Sequence, residues 1–306
     1  MLYSPLIPHF LAITMLPYKF SNDFKAEYNF DYNKTIVVHR EPVQVTETTA
    51  KLTCLSEPTR MYCVLRNITI SSIVKYHNVN GTKTVIDEVS KRHLNIKQWF
   101  VMYFNENRIE KIMRSQQVVK ADEVEYPLAR HIILSIVNQF NLINGDNINK
   151  MENAHTSGAS GKNVSFSLDI WEPTPLGECR VKYNGNVKQE DKKKATKFRI
   201  IPATTLPLLL VNATNARIRL EKARQQCIHS TGFKNFLNNM VLDDYKWLVE
   251  TYNDGLNIST TMDVILPADE WHPNGQLVFN EKVQLTLKNV TSPPIVTEPR
   301  EWINFN

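Results

Sequence analysis

The residues whose chemistry is easiest to assign in this 306-residue sequence are its four cysteines, Cys54, Cys63, Cys179 and Cys227. Their spacings match neither a CxxC zinc knuckle nor a dithiol redox motif, which favours disulfide bonds. Cys54 and Cys63 lie in two short apolar runs separated by a turn at residues 56–59, so a hairpin would bring their sulfurs within bonding distance. We therefore predict this disulfide and an oxidising compartment; the alternative is four free buried thiols in a reducing one.

Seven Asn-x-Ser/Thr sequons point to the same compartment, because this tripeptide is the acceptor of N-linked glycans in secreted proteins. They stand at Asn33, Asn67, Asn80, Asn163, Asn212, Asn257 and Asn289. We predict that these asparagines carry glycans on surface loops and that the chain is secreted and extracellular.

No residue pattern supports a catalytic, cofactor or metal site. The eight histidines are scattered without a His-Glu-x-x-His or His-x-His arrangement, and no Gly-x-Ser-x-Gly elbow is present. The segment 158–162, GASGK, lacks the upstream glycine of a phosphate-binding loop. We expect no enzymatic activity and no cofactor; a site assembled only in the tertiary structure is the alternative.

Charge and hydropathy exclude two classes of partner. The net charge of +5 is spread along the chain except for the basic run at 188–197, which also contains Glu190 and Asp191. Such a run is typical of a solvated loop, so we expect no nucleic-acid partner. No stretch of about 18 apolar residues predicts a membrane span. Residues 1–22 are a weak signal-like segment or an N-terminal extension; an ordinary buried strand is the alternative for residues 6–16.

Hydrophobic periodicity predicts a mainly β protein of the α+β kind. Residues 24–32, FKAEYNFDY, alternate apolar and polar side chains as a half-buried strand does. Further strands are predicted on both sides of one apolar helix of about 15 residues, which begins near Pro127. A second short helix is predicted over residues 214–229, with Thr214 as N-cap. Its basic face comprises Arg217, Arg219, Lys222 and Arg224.

Several of these segments together resemble the N-terminal domain of vitellogenins, which belong to the large lipid transfer protein family. The patches are residues 24–32, 50–67, 101–112 and 127–142. The most specific is WEPTPLGECRVKY at residues 171–183, with the family's acidic residue, Gly-x-Cys and following tyrosine. The long interval from this tract to Cys227 is more insect-like than vertebrate-like.

The resemblance implies an antiparallel β-barrel-like sheet wrapped around a central helix, over residues 23–291. It also implies a Cys179–Cys227 disulfide and contacts to a lipoprotein-type receptor. Lys222 falls at a lysine position of the family's receptor-binding segment, whereas Leu220 occupies another. Arg217, Arg219, Lys222 and Arg224 are thus candidate receptor-binding residues, with a solvated helix face as the alternative.

Family members continue into a helical horseshoe and lipid-lining sheets, so residues 292–306 are interpreted as a linker or the start of a following helical domain. The expected function is that of a secreted lipid-transport or yolk nutrient-reservoir module. It would bind a receptor or downstream lipid-binding domains, and it would carry lipid only with additional segments. The alternative is a lone-domain secreted recognition protein that has lost lipid transport.

Overall fold

The computed structural model describes residues 3–7, 11–15, 26–57, 59–77, 84–94, 97–105, 108–115, 125–140, 155–157, 163–174, 177–189, 198–202, 216–229, 241–252, 255–267, 276–291 and 302–304. Within these ranges the chain forms strands and one α-helix. The first strands are β1 (Tyr3–Ile7), β2 (Leu11–Met15), β3 (Glu27–Val38), β4 (Val43–Glu57), β5 (Arg60–His77), β6 (Thr84–Leu94), β7 (Gln98–Asn105) and β8 (Arg108–Ser115). They are followed by the helix α1 (Glu125–Phe140).

The remaining strands are β9 (His155–Ser157), β10 (Asn163–Thr174), β11 (Gly177–Gln189), β12 (Phe198–Pro202), β13 (Ala216–His229), β14 (Val241–Tyr252), β15 (Gly255–Leu266), β16 (Gln276–Thr291) and β17 (Trp302–Asn304). None of the helices formed by the described residues is long and apolar enough to cross a membrane.

Fourteen of the strands form one antiparallel sheet, in the order β17-β8-β7-β5-β4-β3-β16-β15-β14-β13-β11-β10-β9, with β6 paired to β5. The mainly β fold with a helix is therefore confirmed. Closure into a barrel is not seen, because the order of the described strands is an open path that ends at β9 and β17.

The two faces of this sheet differ because side chains alternate along each strand. Tyr28, Phe30 and Tyr32 of β3 are at most 1% exposed and belong to a single core cluster. On the opposite face of the same strand, Asp31 pairs with Lys51 at 2.5 Å. We call the face that carries the core the inner face and the polar face the outer face.

Helix α1 packs on the inner face, against β7, β15 and β16 among other elements. Its buried apolar residues are Ala129, Ile132, Ile133, Ile136, Val137 and Phe140. Among the helix side chains that the structure describes, only those of Pro127, His131 and Asn138 are exposed, and they form a narrow stripe. The helix is thus buried over most of its circumference, as its apolar sequence predicts.

Three polar contacts anchor the helix to strands β3, β14 and β15 of the large sheet. The hydroxyls of Tyr32 and Ser135 lie 2.6 Å apart, within hydrogen-bonding distance. The indole N–H of Trp247 donates to the backbone carbonyl of Gln139 at 3.3 Å, and the hydroxyl of Thr260 donates to the Gln139 side-chain oxygen at 2.9 Å. Trp247 therefore satisfies a carbonyl of the last helical turn, which has no partner within the helix.

The predicted second helix is wrong, because residues 216–229 form strand β13. This strand pairs with β11 on one side and with β14 on the other. Its Ala, Arg, Leu, Glu, Lys and Gln residues favour a helix in isolation, but pairing on both edges overrides local propensity. Thr214, the predicted N-cap, lies outside the described residues.

The N-terminal strands belong to a second, smaller sheet in the order β1-β2-β12. The signal-like segment 6–16 falls partly on β1 and β2, and partly outside the described residues. Ile13 of β2 pairs with Ser4 of β1 and with Ile200 of β12. Most of the predicted linker at 292–306 is outside the described part, but residues 302–304 add β17 to the edge of β8.

Candidate functional site: a buried ionic cluster on neighbouring strands

Ionisable side chains meet on the inner face where β10, β11 and β13 lie side by side. Glu172 of β10 is the register partner of Cys179 on β11, which in turn faces Cys227 on β13. Tyr183 of β11 faces Lys222 of β13. Since register partners project from the same face of a sheet, these side chains converge on one region of the core.

The centre of this region is a buried ion pair. The ammonium of Lys222 lies 2.7 Å from one carboxylate oxygen of Glu172, and the hydroxyl of Tyr183 donates a short hydrogen bond to the other oxygen. Glu172 is 2% exposed, Lys222 is 7% exposed and Tyr183 is fully buried. Both carboxylate oxygens of Glu172 therefore have a partner, as buried carboxylates in proteins generally do.

The surroundings shift the proton affinities of this cluster. Burial lowers the pKa of Lys222 from its ordinary value, and the attraction of Glu172 opposes that shift. Burial raises the pKa of Tyr183 well above its usual range, and the neighbouring Glu172 carboxylate raises it further. Burial also raises the pKa of Tyr245 on β14. At neutral pH these tyrosines are hydrogen-bonding groups and not acids.

Arg224 extends the cluster along β13. Its guanidinium lies 3.9 Å from the centroid of the Tyr245 ring, in the position of a cation–π contact. Its Nε atom is buried and has no hydrogen-bond acceptor among the described residues. The inner face thus carries a second cation, and among the described residues Arg224, unlike Lys222, forms no ion pair with a carboxylate.

The four predicted receptor-binding residues do not share one face. Arg217 and Arg219 project from the outer face and are exposed, whereas Lys222 and Arg224 project inward. Arg217 lies 5.1 Å from the ring centroid of Tyr252. The guanidinium of Arg219 lies 2.5 Å from the Glu250 carboxylate. The basic helical face expected from the sequence is therefore wrong, because a strand sends alternate residues to opposite sides.

The structure contains two disulfides, Cys54–Cys63 and Cys179–Cys227, which are the pairs named from the sequence. Cys54 and Cys63 face each other on β4 and β5. Among the described residues no group of three or more His, Cys, Asp or Glu side chains could hold a metal ion.

Five of the predicted glycosylation sites lie within strands and not in the expected loops: Asn33, Asn67, Asn163, Asn257 and Asn289. Three of them, Asn33, Asn67 and Asn289, are exposed. Asn257 is half-buried, and its side-chain oxygen accepts hydrogen bonds from Gln284 and Thr286. Asn163 is the first residue of β10, whereas Asn80 and Asn212 lie outside the described residues.

Sequence reasoning did not single out Glu172 or Tyr183 as site residues, although both lie in the tract at 171–183. A usable signal was present. Leu168, Ile170 and Glu172 occupy alternate positions of strand β10, so a carboxylate takes an inward position in line with apolar residues. A charge on an apolar face indicates a buried partner of opposite charge.

The buried tyrosines predict a sharp alkaline limit of stability. Tyr32, Tyr183 and Tyr245 have raised pKa values when folded, so the unfolded chain loses their protons first as pH rises above about 10. Stability should then fall by about 1.4 kcal/mol per pH unit for each tyrosine, or roughly 4 kcal/mol in all. Lys222 acts in the opposite direction, because its pKa is lowered in the folded protein and stability therefore rises with pH. This rise ends near its ordinary pKa of 10.5.

Urea unfolding at a series of alkaline pH values, together with tyrosinate absorbance, tests this expectation. The native protein should titrate at least three fewer of its eleven tyrosines than the denatured chain does. Tyr32→Phe is the matched variant and should flatten the pH slope by about one third. Full titration of all tyrosines in the native state would contradict the prediction.

Comparison with known proteins gives little beyond this geometry. No family model matches the chain, and no curated protein matches it. A solved structure described as "Lipid-protein interactions in lipovitellin" matches with 12% sequence identity and a TM-score of 0.46, over 92% of this chain and 27% of that one. The chain therefore spans about a quarter of that protein's length, and a similarity at this level does not establish a shared fold.

Proposed function

We propose that the chain is a secreted, non-enzymatic module of the lipid-transport or yolk nutrient-reservoir type. In this proposal residues 23–291 correspond to an insect-like vitellogenin N-terminal domain. The module binds a lipoprotein-type receptor or downstream lipid-binding domains, and it transports lipid only together with additional segments.

The observation that supports the proposal best is the Cys179–Cys227 disulfide. This pairing was expected from the resemblance of the tract at 171–183 to vitellogenins and from nothing in the spacing itself. Two disulfides among the four cysteines also favour an oxidising, extracellular environment.

Expression of the chain with its own N-terminus in a secretory host tests the compartment. Intact mass measured before and after reduction and deglycosylation should give two disulfides and attached glycans. The exposed Asn33, Asn67 and Asn289 are the sites where glycans are expected first, because the acceptor side chain must be accessible. Four free thiols without glycans would refute secretion. The genomic reading frame downstream of residue 306 distinguishes the two alternatives. An open frame that encodes paired amphipathic helices supports a transporter module, and a stop codon supports a lone-domain recognition protein.

The surface available for a receptor is narrower than the sequence indicated. Lys222 is buried against Glu172, so it cannot contribute a contact without unfolding of this region. On the outer face, Arg217 is the register partner of Lys188, and both are exposed. This adjacent pair of cations is one part of the outer face of β11 and β13 that an acidic receptor surface can reach.

Reversing these two charges should weaken receptor binding. We expect Arg217→Glu with Lys188→Glu to reduce the affinity for a soluble lipoprotein-type receptor ectodomain by about tenfold or more, mainly through slower association. Surface plasmon resonance at two salt concentrations measures the effect. Lys282→Glu, an exposed charge reversal on β16 of the same face, is the control. Equal affinities for all three proteins would exclude this surface.

A further inference from the structure

The two disulfides lie in different surroundings within the large sheet. Cys54 on β4 and Cys63 on β5 are flanked by paired strands on both sides, since Tyr28 of β3 faces Cys54 and Phe100 of β7 faces Cys63. Both cysteines are 0% exposed. A thiol in solution therefore reaches this bond only after the strands have separated.

The Cys179–Cys227 bond lies near the end of the paired strands β11 and β13. Cys179 is 0% exposed, whereas Cys227 is half-buried and the following Ile228 is 62% exposed. Pairing of β13 with β14 covers residues 219–224, so no described strand lies beside Cys227 on that side. The register with β11 also shifts here, because Gln226 has no partner on β11. Solvent therefore has access to the Cys227 half of this bond.

The direction of approach decides which sulfur a thiol attacks. A thiolate breaks a disulfide by attacking one sulfur, and the other sulfur leaves as a thiolate. Because the attack is in line with the S–S bond, a reagent for Cys227 arrives from the side of β13 that β14 leaves open among the described residues. A reagent for Cys179 would have to arrive from β10, where Glu172 is the register partner. Cys227 is thus the accessible target, and Cys179 is the leaving group.

The charges around Cys179 favour its departure as a thiolate. The carboxylate of Glu172 lies 2.7 Å from the Lys222 ammonium, so these two charges offset each other. Arg224 forms no ion pair with a carboxylate within the described part of the chain. Its register partner Val181 is two residues from Cys179 on the same face, a separation of about 7 Å along the strand. One positive charge therefore remains near the bond, and a stabilised leaving thiolate departs faster.

We propose that Cys179–Cys227 is an exchangeable disulfide that accepts a small thiol, of the glutathione or cysteine class, on Cys227. A bond forms between the thiol sulfur and the Cys227 sulfur, the Cys179–Cys227 bond breaks, and its electron pair stays on Cys179 as a thiolate. A second small thiol releases the adduct as the oxidised disulfide of the small thiol and leaves Cys227 reduced. The site requires neither a receptor nor a lipid, so it goes beyond the proposed function.

Native incubation of the full chain with glutathione, after both disulfides have formed, tests the proposal. Acid quenching, blocking with N-ethylmaleimide in denaturant and peptide mass mapping locate each product. We expect glutathione on Cys227 and maleimide on Cys179, formed about tenfold or more faster than any product of the Cys54–Cys63 bond, which reacts only after the strands open. Equal rates for the two disulfides, or glutathione on Cys179, would overturn the proposal.

Substitutions at Arg224 test the role of its charge. Arg224→Gln should slow the reaction by about threefold or more, because the leaving thiolate loses a stabilising charge. Arg224→Lys keeps the charge and should keep most of the rate. Arg217→Gln is the matched control, since it removes an exposed arginine from the outer face of the same strand, and its rate should be unchanged. Equal rates for Arg224→Gln and Arg217→Gln would refute the charge argument.

The second disulfide shows whether a variant is unfolded, because unfolding accelerates the reaction of Cys54–Cys63 as well. For that case the charge is tested on the unsubstituted protein with two thiols of opposite charge, 3-mercaptopropionate and cysteamine. Each rate is divided by the rate of the same thiol with the urea-unfolded, disulfide-bonded chain. Near a positive charge the anionic thiol should have the higher relative rate at Cys179–Cys227. Equal relative rates would show that no positive charge acts at this bond.

Discussion

Replacing Glu172 by alanine is expected to lower the free energy of unfolding by about 3–5 kcal/mol. The substitution leaves the buried ammonium of Lys222 without its counter-charge and the hydroxyl of Tyr183 without its acceptor. Urea unfolding at neutral pH, followed by far-ultraviolet circular dichroism, gives the midpoint and the free energy.

The pH dependence of the stability of Glu172→Ala shows whether the buried charge of Lys222 causes the loss. Without Glu172 the folded pKa of Lys222 falls further, because the carboxylate that opposes the effect of burial is gone. The unfolded chain then binds more protons than the folded chain over the range up to about 10.5, so the variant should regain stability as pH rises through that range.

The double variant Glu172→Leu with Lys222→Met is the control for the ion pair. It removes both charges and keeps comparable volume, so it should be much more stable than Glu172→Ala. A loss below about 0.5 kcal/mol for Glu172→Ala would show that the pair is exposed or absent in solution.

Replacing Trp247 by alanine should cost about 3–5 kcal/mol of stability. The side chain is 1% exposed and lies between the sheet and the last turn of α1, where its N–H caps the Gln139 carbonyl. Its removal leaves a large cavity and an unsatisfied buried carbonyl together. Thermal and urea unfolding measure the loss.

Trp171 provides a matched control, because it is 50% exposed on β10. Trp171→Ala should change the unfolding free energy by about 0.5 kcal/mol or less, as exposed substitutions usually do. Trp247→Phe keeps most of the ring, so its loss of unfolding free energy should lie between those of Trp247→Ala and Trp171→Ala. Similar losses for the two alanine variants would contradict the position of Trp247 at the helix end.

The elements that could be predicted from the sequence are those whose local pattern agrees with their final environment. Tyr28, Phe30 and Tyr32 alternate with polar residues, and each of the three is buried in the observed strand. Helix α1 was expected to begin near Pro127 and begins at Glu125, because its apolar spacing suits a helix and a buried site alike.

Strand β13 could not be predicted in the same way. Ile218 and Leu220 take two inward positions, but the next two belong to Lys222 and Arg224, so the apolar alternation stops after two residues. The charged side chains are tolerated inside because Glu172 and Tyr245 come from other strands to meet them. No local window of sequence contains those partners.

The candidate site could not be predicted from the sequence for the same reason. The resemblance named Cys179, Cys227 and Lys222, and the tract at 171–183 contains Glu172 and Tyr183 as well. Their meeting depends on the register of β10 with β11 and of β11 with β13. Register over such separations is set by the packing of the whole inner face.

The Cys179–Cys227 bond also changes what a cut in the chain would do. Between the two cysteines the polypeptide leaves the large sheet after β11, contributes β12 to the small sheet and returns as β13. This stretch is a closed covalent ring. A single hydrolysed peptide bond anywhere in it opens the ring without dividing the molecule, so both new ends stay attached until the disulfide is reduced.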